Sequence, residues 1–147
     1  MLYHIPVYKV TLVRDSRVKI EERPVIRTGV DAYNVLKDWF LDQDREEFVI
    51  LMLNVKNRVI GINSVSVGTL TGSLVHPREV FKPLLLHNAA GVILAHNHPS
   101  GDPTPSAEDK AITERLRQVG EVMGIVVLDH IVVGDNRYVS FADAGLW

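Results

Sequence analysis

The chain has 147 residues, 46% of them hydrophobic and 23% charged, a composition that supports one globular domain with a substantial core. It contains no cysteine, which excludes disulfides, a thiol nucleophile and cysteine-ligated zinc. The net charge of −2 gives no global field for nucleic acid, Met1 to Lys9 lacks a signal-peptide core, and no apolar run is long enough to span a bilayer, so the expectation is a cytoplasmic protein with no membrane association.

Val7 to Val13 reads as an early strand within an N-terminal piece, residues 1–24, that is either an extension or a first strand; the domain proper is expected at 25–147. From Asp31 to Leu41, the spacing of Ala32, Val35, Leu36 and Phe40 predicts a helix with Asp31 as N-cap. Phe48 to Val55 is nearly all apolar and reads as a strand buried on both faces. Lys56-Asn57 is a turn into a second strand, Arg58 to Val67, because Asn tolerates left-handed backbone. Pro77 suits the first turn of a helix running to about Asn88, and Pro83 inside it predicts a kink or an early end.

Gly91 to Ala95 is a short apolar strand that leads into His96 and His98. A proline-rich loop follows, and Ser106 opens a helix through about Val119 that Gly120 ends. Met123 to Val133 reads as a buried strand, and Arg137 to Phe141 as a last one after the Gly134-Asp135-Asn136 turn. Strands interleaved with helices predict an α/β layered domain built on a mixed sheet.

The chemistry concentrates between His96 and Asp109. Residues i and i+2 of an extended backbone point the same way, so His96 and His98 can converge on one point. The loop between them and Ser106 carries Pro99, Pro103 and Pro105, which limit the entropy lost on ordering it. Asp109 falls in the first turn of the next helix, where the helix dipole favours a carboxylate. His96, His98 and Asp109 are three good ligands for one zinc ion, and three protein ligands leave a fourth position for water, as in catalytic sites. Ser106-x-x-Asp109 also has the form of a capping box, and a capping serine can carry a second role.

A zinc-activated water needs a general base, and Glu47 is the best candidate, at the mouth of the buried run Phe48 to Leu53, with Glu46 facing the other way. Glu79 is expected to cap the Pro77 helix, and Glu108 and Glu114 to be solvated. Of the other histidines, His4 reads as exposed, His76 as structural and His87 as a late helix position. Asp129-His130 resembles a pair that could support a metal ligand, but strand neighbours face opposite sides, so at most one reaches the site. Ser66, Thr69 and Ser73 suit either a substrate groove or turns, and Trp39 and Trp147 read as packing residues. Neighbouring interpretations fail on context. The residues of an HNH nuclease are dispersed rather than contiguous, a zinc deaminase requires Cys-x-x-Cys, and a metal-dependent barrel needs about 250 residues.

Glu47, His96-x-His98 and Ser106-x-x-Asp109 together resemble the JAMM motif of the JAB/MPN metallopeptidase superfamily. Glu46-Glu47-Phe48, Leu53-Asn54-Val55-Lys56-Asn57, Gly68-Thr69-Leu70, Val75 to Phe81, His96 to Pro103 and Leu128 to Gly134 narrow the resemblance to the bacterial RadC family, over about Val25 to Gly145. That resemblance implies a curved mixed sheet flanked by helices, a three-layer fold like that of cytidine deaminases. It implies that His96, His98 and Asp109 bind zinc, that Glu47 activates water and that Ser106 helps stabilise the oxyanion. Longer RadC proteins carry a helix-hairpin-helix region associated with DNA binding, and the expectation is that this chain is the short form without it. The resulting expectation is a zinc hydrolase cutting a peptide or isopeptide bond in an unidentified protein substrate. The alternatives are a DNA-repair-associated protein and a catalytically silent interaction module. The intact residue set argues against the silent module, and no basic stripe supports nucleic acid, although phosphate contacts need only a few Lys or Arg. Oligomeric state is not set by any of these features.

Overall fold

The computed structural model describes residues 1–17, 22–68 and 74–147. In chain order the elements are α1 (Gly29–Leu36), β1 (Glu47–Leu53), β2 (Val59–Val67), α2 (Pro77–Leu86), β3 (Gly91–Asn97), α3 (Ala107–Met123), β4 (Val126–Val133), β5 (Tyr138–Ser140) and α4 (Phe141–Ala144). The strands form one sheet in the order β2-β1-β3-β4-β5. β1 runs antiparallel to both β2 and β3, β3 and β4 are parallel, and β5 returns antiparallel to β4. The parallel pair needs a crossover, and α3 supplies it. The expected mixed α/β sheet with flanking helices is therefore present.

The sheet separates two apolar cores, and strand alternation assigns residues to them. Val49, Leu51, Leu53, Ile93, Ala95, Ile131 and Val133 face α1 and pack with Ala32, Leu36 and Phe40. Phe48, Ile50, Met52, Val92, Leu94 and Val127 face the other way, onto Val80, Phe81 and Leu84 of α2 and Leu116 of α3. Burying each such Leu, Ile or Phe side chain contributes roughly 1.5–3 kcal/mol. A β-bulge interrupts the alternation of β4. Val92 pairs with Val127 but Ile93 pairs with Asp129, so Leu128 is an extra residue. Odd-numbered Val127 lies in the α2/α3 core, whereas odd-numbered Ile131 and Val133 lie in the α1 core. The bulge has thus exchanged the two faces for the rest of the strand.

Several boundaries differ from the sequence expectation. Residues 7–13 form no strand; residues 1–17 have no helix or strand and are exposed. The first helix starts at Gly29 with Thr28 as N-cap, and Asp31 sits one turn in, accepting from the amides of Arg27 and Thr28. It ends at Leu36, although the following turns still bury Phe40. α2 passes through Pro83 and stops at Leu86, and its N-cap is His76, whose Nδ1 accepts from the Arg78 amide, rather than Glu79, which pairs with Lys82. α3 runs past Gly120 to Met123 and ends at Gly124, whose φ of 72° supplies the left-handed stop. Gly120 stays helical because it packs tightly on the Ile125 carbonyl and Val127. Phe141 begins a short helix and does not extend β5. Asn57, with φ of 57°, makes the expected turn between β1 and β2. Among the described residues no helix is long and apolar enough to cross a membrane.

Candidate metal centre

β3 carries His96 on the α2/α3 face of the sheet, in line with Val92 and Leu94, and delivers His98 just beyond its end. The loop that follows is tied down at both sides. The His98 amide donates to the Val133 carbonyl at 2.9 Å, and the Asp135 amide to the Gly101 carbonyl at 2.8 Å. A Cβ at Gly134 would collide with the Gly101 carbonyl and Pro103, so the loop sits directly on glycine backbone. Ser106 then caps α3: its Oγ accepts from the Asp109 amide at 3.0 Å, while its own amide donates to Asp109 Oδ2 at 2.8 Å. This capping box turns the Asp109 carboxylate back toward the histidines.

The three expected ligands meet. His96 Nε2 and His98 Nε2 are 3.1 Å apart, His96 Nε2 lies 3.1 Å from Asp109 Oδ1, and His98 Nε2 lies 3.1 Å from Asp109 Oδ2. Donors around a tetrahedral zinc at its usual bond lengths stand about 3.3 Å from one another, so each of these separations is of the right size. The donor chemistry also fits. His98 Nδ1 lies 2.8 Å from the Asp102 backbone carbonyl, which can only accept, so the Nδ1 proton is fixed there and Nε2 turns inward.

Electrostatics agree with the geometry. The Asp109 hydrogen bond raises the pKa of His98. Burial pushes the Asp109 carboxyl up, but the contacts of its oxygens with His96 and His98 outweigh it and hold the group well below the ordinary carboxylate range.

The fourth member of this cluster is the carboxylate of Glu46 and not that of Glu47. Glu46 Oε1 lies 3.6 Å from His96 Nε2, and Glu46, His96, His98 and Asp109 form a group able to hold a metal ion. Glu46 stands farther from His96 than the other two donors do. Glu47 points to the opposite face, where its carboxylate accepts from the Trp39 indole at 3.2 Å. Its amide donates to Asn97 Oδ1 at 2.8 Å. The glutamate beside the histidines is therefore Glu46, one residue before the expected Glu47. The two glutamates do face opposite ways, but the register decides which meets the histidines. Phe48 pairs with His96, so the site face at this end of β1 is shared by even-numbered residues.

Two further side chains join the site. His130 Nε2 lies 2.7 Å from His96 Nδ1, and Thr113 Oγ1 lies 2.5 Å from His130 Nδ1. Thr113 also donates to the Asp109 carbonyl at 2.6 Å. Asp129 faces away and accepts from Ser140 Oγ and the amides of His130 and Ala142. Only one of that pair reaches the site, as alternation requires. Thr113 carries no sequence signal beyond its place one turn after Asp109.

Of the weaker candidates, His87 bonds the Ile60 carbonyl. Trp147 lies under the Arg117 guanidinium and near Phe141. Thr69, Leu70 and Ser73 fall outside the described residues. A groove of about 420 Å³ opens beside the His98 loop, lined by Tyr33, Lys37, Asn97, His98, Ser100 and Asp135 among others. It touches neither His96, Asp109 nor Glu46 and so does not enclose the ligand cluster.

A mixed α/β sheet with a His-x-His strand end facing an aspartate at a helix start defines the class of a possible metalloprotein of the JAB/MPN fold. Residues 26–146 match the RadC-like JAB domain, and the chain belongs to that family. It is 50% identical over 133 residues to a UPF0758 protein of Desulforamulus reducens, covering 90% of this chain and 59% of that protein. It is 50% identical over 124 residues to one of Desulfitobacterium hafniense, covering 84% of this chain and 55% of the relative. A Symbiobacterium thermophilum UPF0758 protein is 62% identical over 101 residues, 69% of this chain and 43% of the relative. The chain thus spans about half the length of the curated relatives it matches.

Proposed function

We propose that this domain is a zinc-dependent hydrolase of an amide bond, in a peptide or in an isopeptide link of a protein substrate. The observation that carries the reading is the convergence of His96 Nε2, His98 Nε2 and the Asp109 carboxylate, with 3.1 Å between the two nitrogens, 3.1 Å from His96 Nε2 to Oδ1 and 3.1 Å from His98 Nε2 to Oδ2, and with the Glu46 carboxylate beside them. Two imidazoles and one carboxylate suit zinc and leave a coordination position free. A bound zinc would supply acidification of water and polarisation of a carbonyl oxygen. Glu46 is placed to take a proton at its Oε1 and return it to the leaving amine. His96, His98 and Asp109 would hold the ion, and burial of His96 at 2% exposure would keep that side of the centre dry. Ser106 caps the helix that aims Asp109, and its hydroxyl is the candidate donor to an oxyanion. The choice of a peptide-type substrate rests on the superfamily likeness.

The test is metal analysis of protein purified without added metal and after zinc reloading, followed by hydrolysis of a peptide and isopeptide panel. The expected result is one zinc per chain and turnover that Glu46→Gln lowers by about 10²–10⁴ while the zinc is retained. Absence of stoichiometric metal after reloading, or full turnover in Glu46→Gln, contradicts the reading.

A further inference from the structure

The described residues place a chain of polar groups behind the centre: the Asp109 carbonyl, the Thr113 hydroxyl, His130 and His96. We propose that Thr113 and His130 are positioning residues that fix the tautomer of His96, a role that rests on His96 being a metal ligand. The direction of the chain follows from chemistry at its far end. The Asp109 carbonyl can only accept, so the Thr113 proton goes to it, at 2.6 Å. The Thr113 oxygen is then the acceptor for His130, whose Nδ1 must carry hydrogen. His130 is fully buried and, among the described residues, no carboxylate lies within hydrogen-bond reach of its ring; with its one hydrogen on Nδ1, its Nε2 is bare. Bare Nε2 accepts at 2.7 Å from His96 Nδ1, which therefore holds the His96 proton. His96 Nε2 is left with its lone pair directed at Asp109 and His98, the form a metal requires.

Two features show that this arrangement is built. The β4 bulge at Leu128 exchanges the faces of that strand, so His130 faces the site while Asp129 takes the opposite side. Thr113 follows Asp109 by four residues on α3, so one helix presents both the aspartate and the hydroxyl that anchors the histidine of the next strand. His96 and Asp109, on different elements, are thereby tied through the side chains of His130 and Thr113.

The experiment uses ¹⁵N spectra of the imidazole rings in the metal-free wild type at alkaline pH, where the rings are neutral, together with zinc affinity by chelator competition. The spectra should show His96 and His130 protonated at Nδ1 and bare at Nε2. Thr113→Val keeps the shape but removes the oxygen. His130 should then move its proton to Nε2, donate to His96 Nδ1 and leave His96 protonated at Nε2, weakening zinc binding about 10–100-fold. Thr113→Ser should restore both wild-type readouts. A wild-type His96 protonated at Nε2 overturns the proposal, as does Thr113→Val with unchanged tautomers and zinc affinity. A wild type that binds no zinc defeats the proposed function instead, while the spectra of the metal-free protein still decide the direction of the relay.

Discussion

The two faces of the sheet are equally apolar along most of their length and differ at one end. On the α1 face, polar groups close on one another: Glu47 with Trp39 and Asn97, and Asp129 with Ser140 and the amides of His130 and Ala142. On the α2/α3 face, Glu46, His96, His98 and Asp109 turn donor atoms toward a common point. Three adjacent pairs, Glu46/Glu47, His96/Asn97 and Asp129/His130, divide between the faces. In each pair one residue knits the strand end together and its neighbour faces the cluster. A polar side chain is thus distinguished by whether its partners complete a set within the protein, and less by its residue type.

The sharpest way to break this comparison is to alter each member of a pair alone. Glu46→Gln should lower turnover by about 10²–10⁴, whereas Glu47→Gln should leave turnover within a few-fold and act mainly on stability through the Trp39 bond. Equal losses in both variants, measured as kcat on the same substrate, would merge the two faces into one role. Asp129→Ala should act in the opposite sense: it removes the acceptor of several buried donors and should cost about 1–3 kcal/mol for each donor left unpaired, read by denaturant unfolding, while zinc affinity changes little.

The metal-free site should also reveal itself through pH. Asp109 has a lowered pKa, so its contribution to stability is present above the unfolded value of 3.8 and is lost as pH falls through its folded pKa. His98 has a raised pKa, so its contribution is present below the unfolded value of 6.5 and is lost as pH rises through its folded pKa. Unfolding curves without metal should show this pair most stabilising between those limits, and Asp109→Asn should flatten the profile. Added zinc should stabilise most on the alkaline side, where no proton competes for His98. The smallest effect concerns the cap. Ser106→Ala should cost about 0.5–2 kcal/mol, and Ser106→Asp should recover most of it; recovery of turnover as well would confine the serine to capping.

The convergence of His96, His98 and Asp109 was legible because its geometry is local. His96-x-His98 shares a face by strand alternation, and Ser106-x-x-Asp109 folds back by capping. Glu46 was not legible in the same way, since β1 is buried on both faces and its alternation carries no sign of which face is which. Pairing of Phe48 with His96 settles that, and pairing is a long-range property. His130 was visible as half of a pair, but the bulge at Leu128 decides which half faces the site. The helix limits shifted where capping and packing overrode composition: Thr28 displaced Asp31 as N-cap, and Gly120 stayed helical against Ile125 and Val127.

Anomalous diffraction from zinc-loaded crystals tests the central claim most directly. The ion should lie about 2.0–2.2 Å from His96 Nε2, His98 Nε2 and an Asp109 oxygen, with Glu46 on its open side and Glu47 still bonded to Trp39. An ion held by other side chains, or one approached by Glu47 in place of Glu46, would contradict it.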